Sequence, residues 1–457
     1  MWRYSVGILL LVMLAVPAFS AETSGPVKKQ GSVRPLVLAG SQAATLAVDR
    51  VAMPAAAEGK VALKDFLEEA LKNNPRLKAA QYRAAAARAR VGIFRYIPDP
   101  ELEYEYDKIT PAAIGMGGGK VRPMKTIAVS QEIPFPTKIF MRQKSAQREA
   151  NALEQEYKEV ERTVIKEVKE AYAKLYLNRR KAAYLKDTLS LMSQFVEVTN
   201  KKYAVSKAGQ QDVLRAQVEY SRLYNSVVLY EQEARIAGDW LVSLLGRQDG
   251  VGIDISDPEP MSDLNLQEAD IVALAKKGRP ELKSVRERLE KARADSALSK
   301  QEFLPDVTLK YKREEVDGKF SRLDQGQWAG SIGINVPLWF WGKQLAGVRE
   351  AQADFAAAQA DYAAAENAAV FEAKSAFARY EAARQLVEVY ETGILPQANA
   401  AVNTARRAYA AGTMSFTDTI DAMRSLRDLQ MEYFAAVAEL QVTKADLERM
   451  VGGDLDI

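Results

Sequence analysis

The 457-residue chain is long enough to bury a large core, and its 63 Lys+Arg against 60 Asp+Glu leave a formal charge of only +3. That near balance excludes a strong electrostatic pull on nucleic acid. Cysteine and histidine are both absent, so disulfides, thiolate ligands, thiol nucleophiles and the commonest general base are closed off. The sequence predicts no enzyme, no cofactor and no metal site.

In chain order, Met1 to Ser20 reads as a signal peptide: Arg3 supplies a positive start, Val6 to Phe19 an apolar stretch, and Ala18-Phe19-Ser20 a small-residue cleavage site. No cysteine follows it, which rules out acylation at a lipobox. Beyond it no apolar run approaches the roughly 18 residues of a membrane-spanning helix. Residues 21–60, with Gly25, Pro26, Gly31, Pro35 and Pro54 scattered through them, read as an irregular arm.

From Val61 the chain repeats itself. Asn74-Pro75-Arg76-Leu77 is answered by Arg279-Pro280-Glu281-Leu282, Pro98-Asp99 by Pro305-Asp306, Ile133-Pro134 by Val336-Pro337, Tyr203 by Tyr409, Asp212 by Asp418, and Leu245-Gly246 by Val451-Gly452. The order is kept throughout, which points to an internal duplication. The expected divisions are a first unit over 61–246, a Gly/Pro/Asp-rich linker over 247–263, a second unit over 264–452 and a tail over 453–457.

Each unit opens with two short helices (Val61 to Lys72 and Leu266 to Lys277 come first), the second helix starting at Pro75 or Pro280, the favoured first helical position. Two short strands follow, expected at about 100–108 and 124–133, then about 306–314 and 328–337. Long helices close each unit, over about 138–206 and 210–245, then 343–411 and 414–450. Lys138 to Lys207 has neither proline nor glycine, and Leu153, Tyr157, Val160, Val164, Val168, Ala171 and Leu175 recur at helical spacing. A helix of that length spans roughly 100 Å, so it bridges two distant places. Gly393 and Pro396 interrupt its counterpart, where a kink or a changed packing layer is expected.

The strands alternate strictly. Glu101, Glu103, Glu105 and Asp107 oppose Leu102, Tyr104 and Tyr106; Val307, Leu309 and Tyr311 oppose Thr308, Lys310 and Lys312; Ile332, Ile334 and Val336 oppose Ala329, Ser331, Gly333 and Asn335. Met124 to Ile133 alternates least. Such patterning fits tilted membrane strands and equally an antiparallel sheet on a soluble core. Phe94, Tyr96, Phe135, Phe303 and Trp339-Phe340-Trp341 crowd the strand ends like an interfacial girdle, which favours the membrane. Four strands cannot close a barrel, so several chains must share one; two chains give eight strands and three give twelve.

With the strands and long helices in place, the whole of Val61 to Gly452 resembles the TolC family of outer-membrane efflux ducts. The most specific piece is Tyr409-Ala-Ala-Gly412-Thr413-Met414-Ser-Phe-Thr-Asp418-Thr-Ile-Asp421-Ala422, similar to the family's signature at the periplasmic helix reversal. Tyr203 and Asp212-Val-Leu-Arg215-Ala216 are its first-unit counterpart, with Arg215 in place of the second acid. The resemblance implies a mainly α fold with a small β part, built from a duplicated helix–β-hairpin–long helical hairpin unit. It implies a homotrimer whose twelve-stranded β-barrel sits in outer-membrane lipid and continues as a periplasmic α-helical barrel. It also implies a periplasmic adaptor and an inner-membrane pump, of the RND type ahead of the ABC type. Pro123 to Pro136 looks most like the branch serving heavy-metal efflux. A protein-secretion duct and a poreless periplasm-spanning coiled-coil scaffold are the alternatives. Where members often carry a latching arginine before the paired aspartates, this chain has Met414.

Asp418 and Asp421 lie three apart and share a helix face; with Asp212, Tyr409 and Tyr203 they are the candidate periplasmic gate. Lys207, Gly209 and Gln210, and Gly412, Thr413 and Met414, are the candidate adaptor-docking tips, Gly209 and Gly412 each being expected to need a permissive backbone. Glu101, Glu103, Glu105, Lys310 and Lys312 are assigned to the barrel lumen. Gly115-Met-Gly-Gly-Gly119-Lys120 lacks the first glycine and the Ser/Thr of a phosphate loop and reads as a hairpin tip. Met414, Met423 and Met431 read as packing residues rather than soft-metal ligands.

Overall fold

The computed structural model describes residues 62–109, 122–247, 255–256, 267–316 and 327–455. The signal peptide, the irregular arm, the 115–120 loop, and most of the 247–263 linker lie outside the described residues. Along the described chain one succession of elements occurs twice. The first pass is α1 (Leu63–Asn73), α2 (Pro75–Ile93), β1 (Glu101–Ile109), β2 (Arg122–Ile133), α3 (Pro136–Ala204) and α4 (Gln210–Leu245). The second is α5 (Glu268–Gly278), α6 (Pro280–Gln301), β3 (Val307–Val316), β4 (Gln327–Ile334), α7 (Lys343–Val389), a π-helical segment (Tyr390–Ile394), α8 (Leu395–Ala411) and α9 (Phe416–Val451). The fold is mainly helical with one small sheet.

α3 is a single helix of 69 residues, started by Pro136. Its counterpart is continuous but changes hydrogen-bonding pattern at Gly393, with Pro396 placed where the first turn of α8 needs no amide donor. Shorter helices are fixed at their starts by side chains. The carboxylates of Asp65, Asp212 and Asp270 accept from the amides of Ala62, Gly209 and Gln267 at 3.3, 3.3 and 3.1 Å. Buried Asn74 caps α2 through Arg76 and Leu77 while its Nδ2 donates to the Leu244 carbonyl at 2.8 Å. That one side chain pins the α1–α2 corner to the end of α4.

Two apolar cores lie where the short helices meet the long ones. Phe66, Ala70, Tyr172, Leu175, Leu241 and Leu245 form the first. Ile271, Ala275, Phe377, Tyr380, Leu447 and Val451 form the second, in corresponding places. α4 and α9 each end on a left-handed glycine, Gly246 (φ 70) and Gly452 (φ 76), pressed against the ends of α1 and α5. A Cβ on Gly452 would come within 2.8 Å of the Gly278 carbonyl.

The four strands form one antiparallel sheet in the order β1-β2-β3-β4. Its register puts Tyr104, Ile127, Arg313 and Trp328 in one row, and Leu102, Val129, Tyr311 and Gly330 in the next. One face therefore gathers Leu102, Tyr104, Ile127, Val129, Leu309, Tyr311, Trp328, Ile332 and Ile334, all exposed. A soluble sheet hides such a face against a core; here no described helix covers it. The outer edges of β1 and β4 carry no pairing partner among the described residues.

Candidate functional site

The helix tips are the places where both long hairpins reverse, and the two reversals are built differently. After α8, Gly412 takes φ 80 and its amide donates to Tyr409 O at 3.1 Å, while Thr413 N donates to Ala408 O at 3.0 Å. This satisfies the last carbonyls of the helix, and Ser415 Oγ then starts α9 by accepting from Asp418 N at 3.1 Å. After α3 the left-handed residue is Ser206 (φ 57), not a glycine, and its neighbour Lys207 donates to Lys202 O at 2.8 Å. Gly209 sits at φ −81, ψ 153, an extended conformation open to any residue. The expectation that Gly209 supplies a permissive backbone is therefore corrected: Ser206 holds that place.

The difference is testable. Gly412→Val should cost the tip about 1–2 kcal/mol, the penalty for an L-residue in the left-handed region. Gly209→Ala should stay within about 0.5 kcal/mol, because its Cβ would make only ordinary contacts, with Asp212 Oδ2 at 3.7 Å and Gln211 N at 4.0 Å. Limited proteolysis at residues 203–215 and 408–420 would separate the two; equal sensitivity would contradict the backbone assignment.

The gate candidates separate by environment. Asp418 and Asp421 are exposed, one turn apart on α9, and Arg424 Nη1 lies 3.1 Å from Asp421 Oδ1. Asp418 has no ion pair among the described residues. Asp212 spends its carboxylate on the α4 cap. Tyr203 is exposed, whereas Tyr409 is buried inside the chain, its ring centroid 5.2 Å from that of Phe195 and 6.2 Å from that of Phe416. Lys202 Nζ stands 3.8 Å above the Tyr409 ring and donates to its carbonyl at 3.0 Å. Tyr409 thus packs the two hairpins together, and so do Met423 and Met431 beside the same cluster. Of the tip candidates Lys207, Gly209, Gln210, Gly412 and Thr413 are exposed and Met414 is half-buried.

Below this aromatic cluster lies a site that sequence reasoning missed. Glu219 of α4 is buried at 2% exposure and receives two arginines of α9. Arg424 reaches its Oε2 through Nε at 3.0 Å and Nη2 at 2.6 Å, and Arg427 reaches Oε1 at 3.0 Å. Burial alone would raise the Glu219 carboxyl, but the two guanidiniums outweigh it and hold it below the usual carboxylate range. Arg215 adds a 2.7 Å bond to Thr417 Oγ1. The one signal in the sequence was the charge exchange between units, Arg215 standing where the second unit has Asp421.

At the far end, Glu101, Glu103, Glu105, Lys310 and Lys312 share the polar face of the sheet. Lys310 Nζ pairs with Glu103 Oε2 at 2.8 Å, across the small side chains of β2. Lys312 turns to Glu314 at 2.5 Å.

The chain matches the family described as outer membrane efflux protein twice, over residues 66–247 and 271–453. It belongs to that family. The resemblance to TolC-type ducts stands, and the two matched stretches follow the two passes of elements. No curated relative matches the sequence. Among solved structures it is similar in fold to the outer-membrane channel OprN, with 22% identity, coverage of 86% of this chain and 90% of that one, and a TM-score of 0.75. The Campylobacter jejuni channel CmeC gives 18%, 86%, 85% and 0.75. The Vibrio cholerae outer membrane protein VceC gives 22%, 86%, 97% and 0.72. Among the described residues no helix is long and apolar enough to cross a membrane, and no three potential ligands cluster for a metal.

Proposed function

We propose that this efflux-family chain is the outer-membrane exit duct of a tripartite pump, moving substrate passively and without chemistry of its own. The observation that carries the reading is the sheet. It has one largely apolar face, on which Arg313 pairs with Glu315, an opposite polar face with Glu101, Glu103, Glu105, Lys310 and Lys312, and two edges unpaired among the described residues. In hydrocarbon an open edge leaves backbone groups unpaired at several kcal/mol each, so the strands must close against copies of themselves. Three copies give a twelve-stranded barrel with a polar lumen, and α3 and α7–α8, each about 100 Å long, continue it as a tunnel across the periplasm.

In this arrangement the tips around Lys207–Gln210 and Gly412–Met414 face the periplasmic adaptor, and the inner-membrane pump, RND-type by preference, supplies the cargo and the energy. Asp418 and Asp421 are the acids placed to face the axis there, with Tyr203 beside the first reversal. The decisive measurement is step conductance of the purified protein in a planar bilayer. A duct gives discrete, long-lived steps; a poreless periplasmic scaffold gives none.

A further inference from the structure

The junction between the sheet and the helices holds an ion pair whose components both occur twice, while the pair forms only once. Lys138, three residues into α3, is 2% exposed and its Nζ lies 2.8 Å from Asp306 Oδ2, just before β3. Asp306 Oδ1 also accepts from Phe135 N at 2.9 Å. This contact locks the first pass (β2, α3) to the second (α6, β3). Each partner has a counterpart in the other unit: Pro98-Asp99 stands for Pro305-Asp306, and Phe340 and Lys343 stand for Phe135 and Lys138. Asp99 and Lys343 are exposed, and neither has an ion-pair partner among the described residues. Asp99 precedes β1 and Lys343 follows β4, the two strands that carry the open edges, and Lys343 lines a cavity with Lys138, Glu302 and Asp306 of its own chain.

We infer that Lys343 pairs with Asp99 of the partner subunit, so that the joint between subunits repeats the joint inside each chain. This rests on the oligomeric-duct reading and gives it a register. Inside the chain Gln131 faces Leu309 and Val129 faces Tyr311. Transferred to the open edges, Ile334 faces Leu102 of the partner subunit and Ile332 faces Tyr104 of the partner subunit. All four side chains belong to the exposed, largely apolar face, so the transferred register carries that face across the joint. On the other face Gly333 and Ser331 come opposite Glu103 and Glu105 of the partner subunit, as Ser130 and Ala128 come opposite Lys310 and Lys312 within the chain. Small residues thus lie across from long charged ones at both joints. The other contacts of the inner joint, Lys138 and Arg142 with Glu302 and Thr137 with Gln301, have no such counterparts, since Arg95, Gly347, Gly342 and Phe94 stand in for Glu302, Arg142, Thr137 and Gln301. The Lys–Asp pair is the element of the inner joint that the units share.

A chain without cysteine makes the test clean. The full-length Asp99→Cys/Lys343→Cys variant, purified in detergent, is treated with a short bis-maleimide, each thiolate adding across one maleimide double bond to form a thioether. The expected result is a ladder of covalent dimer and closed oligomer on a denaturing gel, absent from either single variant. Lys138→Cys/Asp306→Cys, treated alike, should bridge within the chain and give no ladder. In parallel, Asp99→Lys and Lys343→Asp should each lower the temperature at which the oligomer dissociates, and the double exchange should restore it. No ladder and no restoration in a protein that mass photometry shows to be oligomeric would overturn the pairing and leave the duct reading intact. A membrane-inserted monomer would overturn both.

Discussion

Asp418→Ala is expected to weaken block of the channel by a trivalent cation, added on the periplasmic side, by at least about tenfold. In water a carboxylate about 6 Å from a trivalent ion contributes roughly 2 kcal/mol of attraction, and about 1.4 kcal/mol is a factor of ten. In a symmetric duct the substitution removes every copy at once. Asp418 is exposed and without an ion pair among the described residues, so in the proposed gate its whole charge would act on the cation. Asp421 shares its charge with Arg424 at 3.1 Å, and Asp421→Ala should therefore weaken the block less. The order of the two effects distinguishes this site from a generally acidic tunnel. Equal block in wild type and in the Asp418→Ala/Asp421→Ala variant would place the constriction elsewhere.

Glu219→Ala is expected to loosen both tips by about 1–3 kcal/mol, because it leaves two partly buried guanidiniums without the acceptor that orders them. The estimate stays below that for a fully buried pair since Arg424 and Arg427 keep 37% and 23% of their side-chain surface in water. In hydrogen exchange this reads as roughly 5–150-fold faster exchange over 205–225 and 412–430, with the cores around Tyr172 and Phe377 unchanged. Acid should imitate the substitution. A carboxyl held low in the folded state contributes stability that is fully present above its unfolded value, about 4.3, and is lost as pH falls through the depressed folded value. Tip exchange in wild type should therefore rise on acidification below about pH 4, and the Glu219→Ala variant should lack that rise. Unchanged exchange in the variant at neutral pH would show that Phe195, Tyr409 and Phe416 hold the tips unaided.

The parts of this molecule that were legible in the sequence are those governed by local rules. The proline- and glycine-free run from Lys138 announced the long helix, and the alternation around Tyr104 and Tyr311 announced the strands. What stayed hidden depends on contacts across the fold. Glu219, Arg424 and Arg427 each look like members of a solvated helical face, and only the packing of α4 on α9 turns them toward one another. Tyr409 reads as part of a signature at the reversal, but its ring is claimed by Phe195 and Lys202 of the other hairpin. Gly209 looked like the residue the first turn needs, yet the chain places its left-handed conformation three residues earlier, at Ser206.

The π-helical segment at Tyr390–Ile394 has a rotational consequence. Counted at 3.6 residues per turn, Ala376, Tyr380 and Ala383 above it and Val402, Ala405 and Tyr409 below it fall on one stripe. They nevertheless meet different neighbours: Tyr380 packs with Ile271 and Leu447, Tyr409 with Phe195 and Phe416. A π turn admits one extra residue, which sets the helix beneath it out of phase by about 100°. Two bonds tie the start of the segment to α9, Tyr390 donating to Glu432 and Tyr433 to Glu391, at 2.7 Å each. The long helix therefore packs on α9 both above and below the segment, and the segment shifts the phase at which it does so. Removing a single residue between 390 and 394 would return the helix to one phase and swing Tyr409 out of its aromatic cluster, so here the count of residues matters more than their identity.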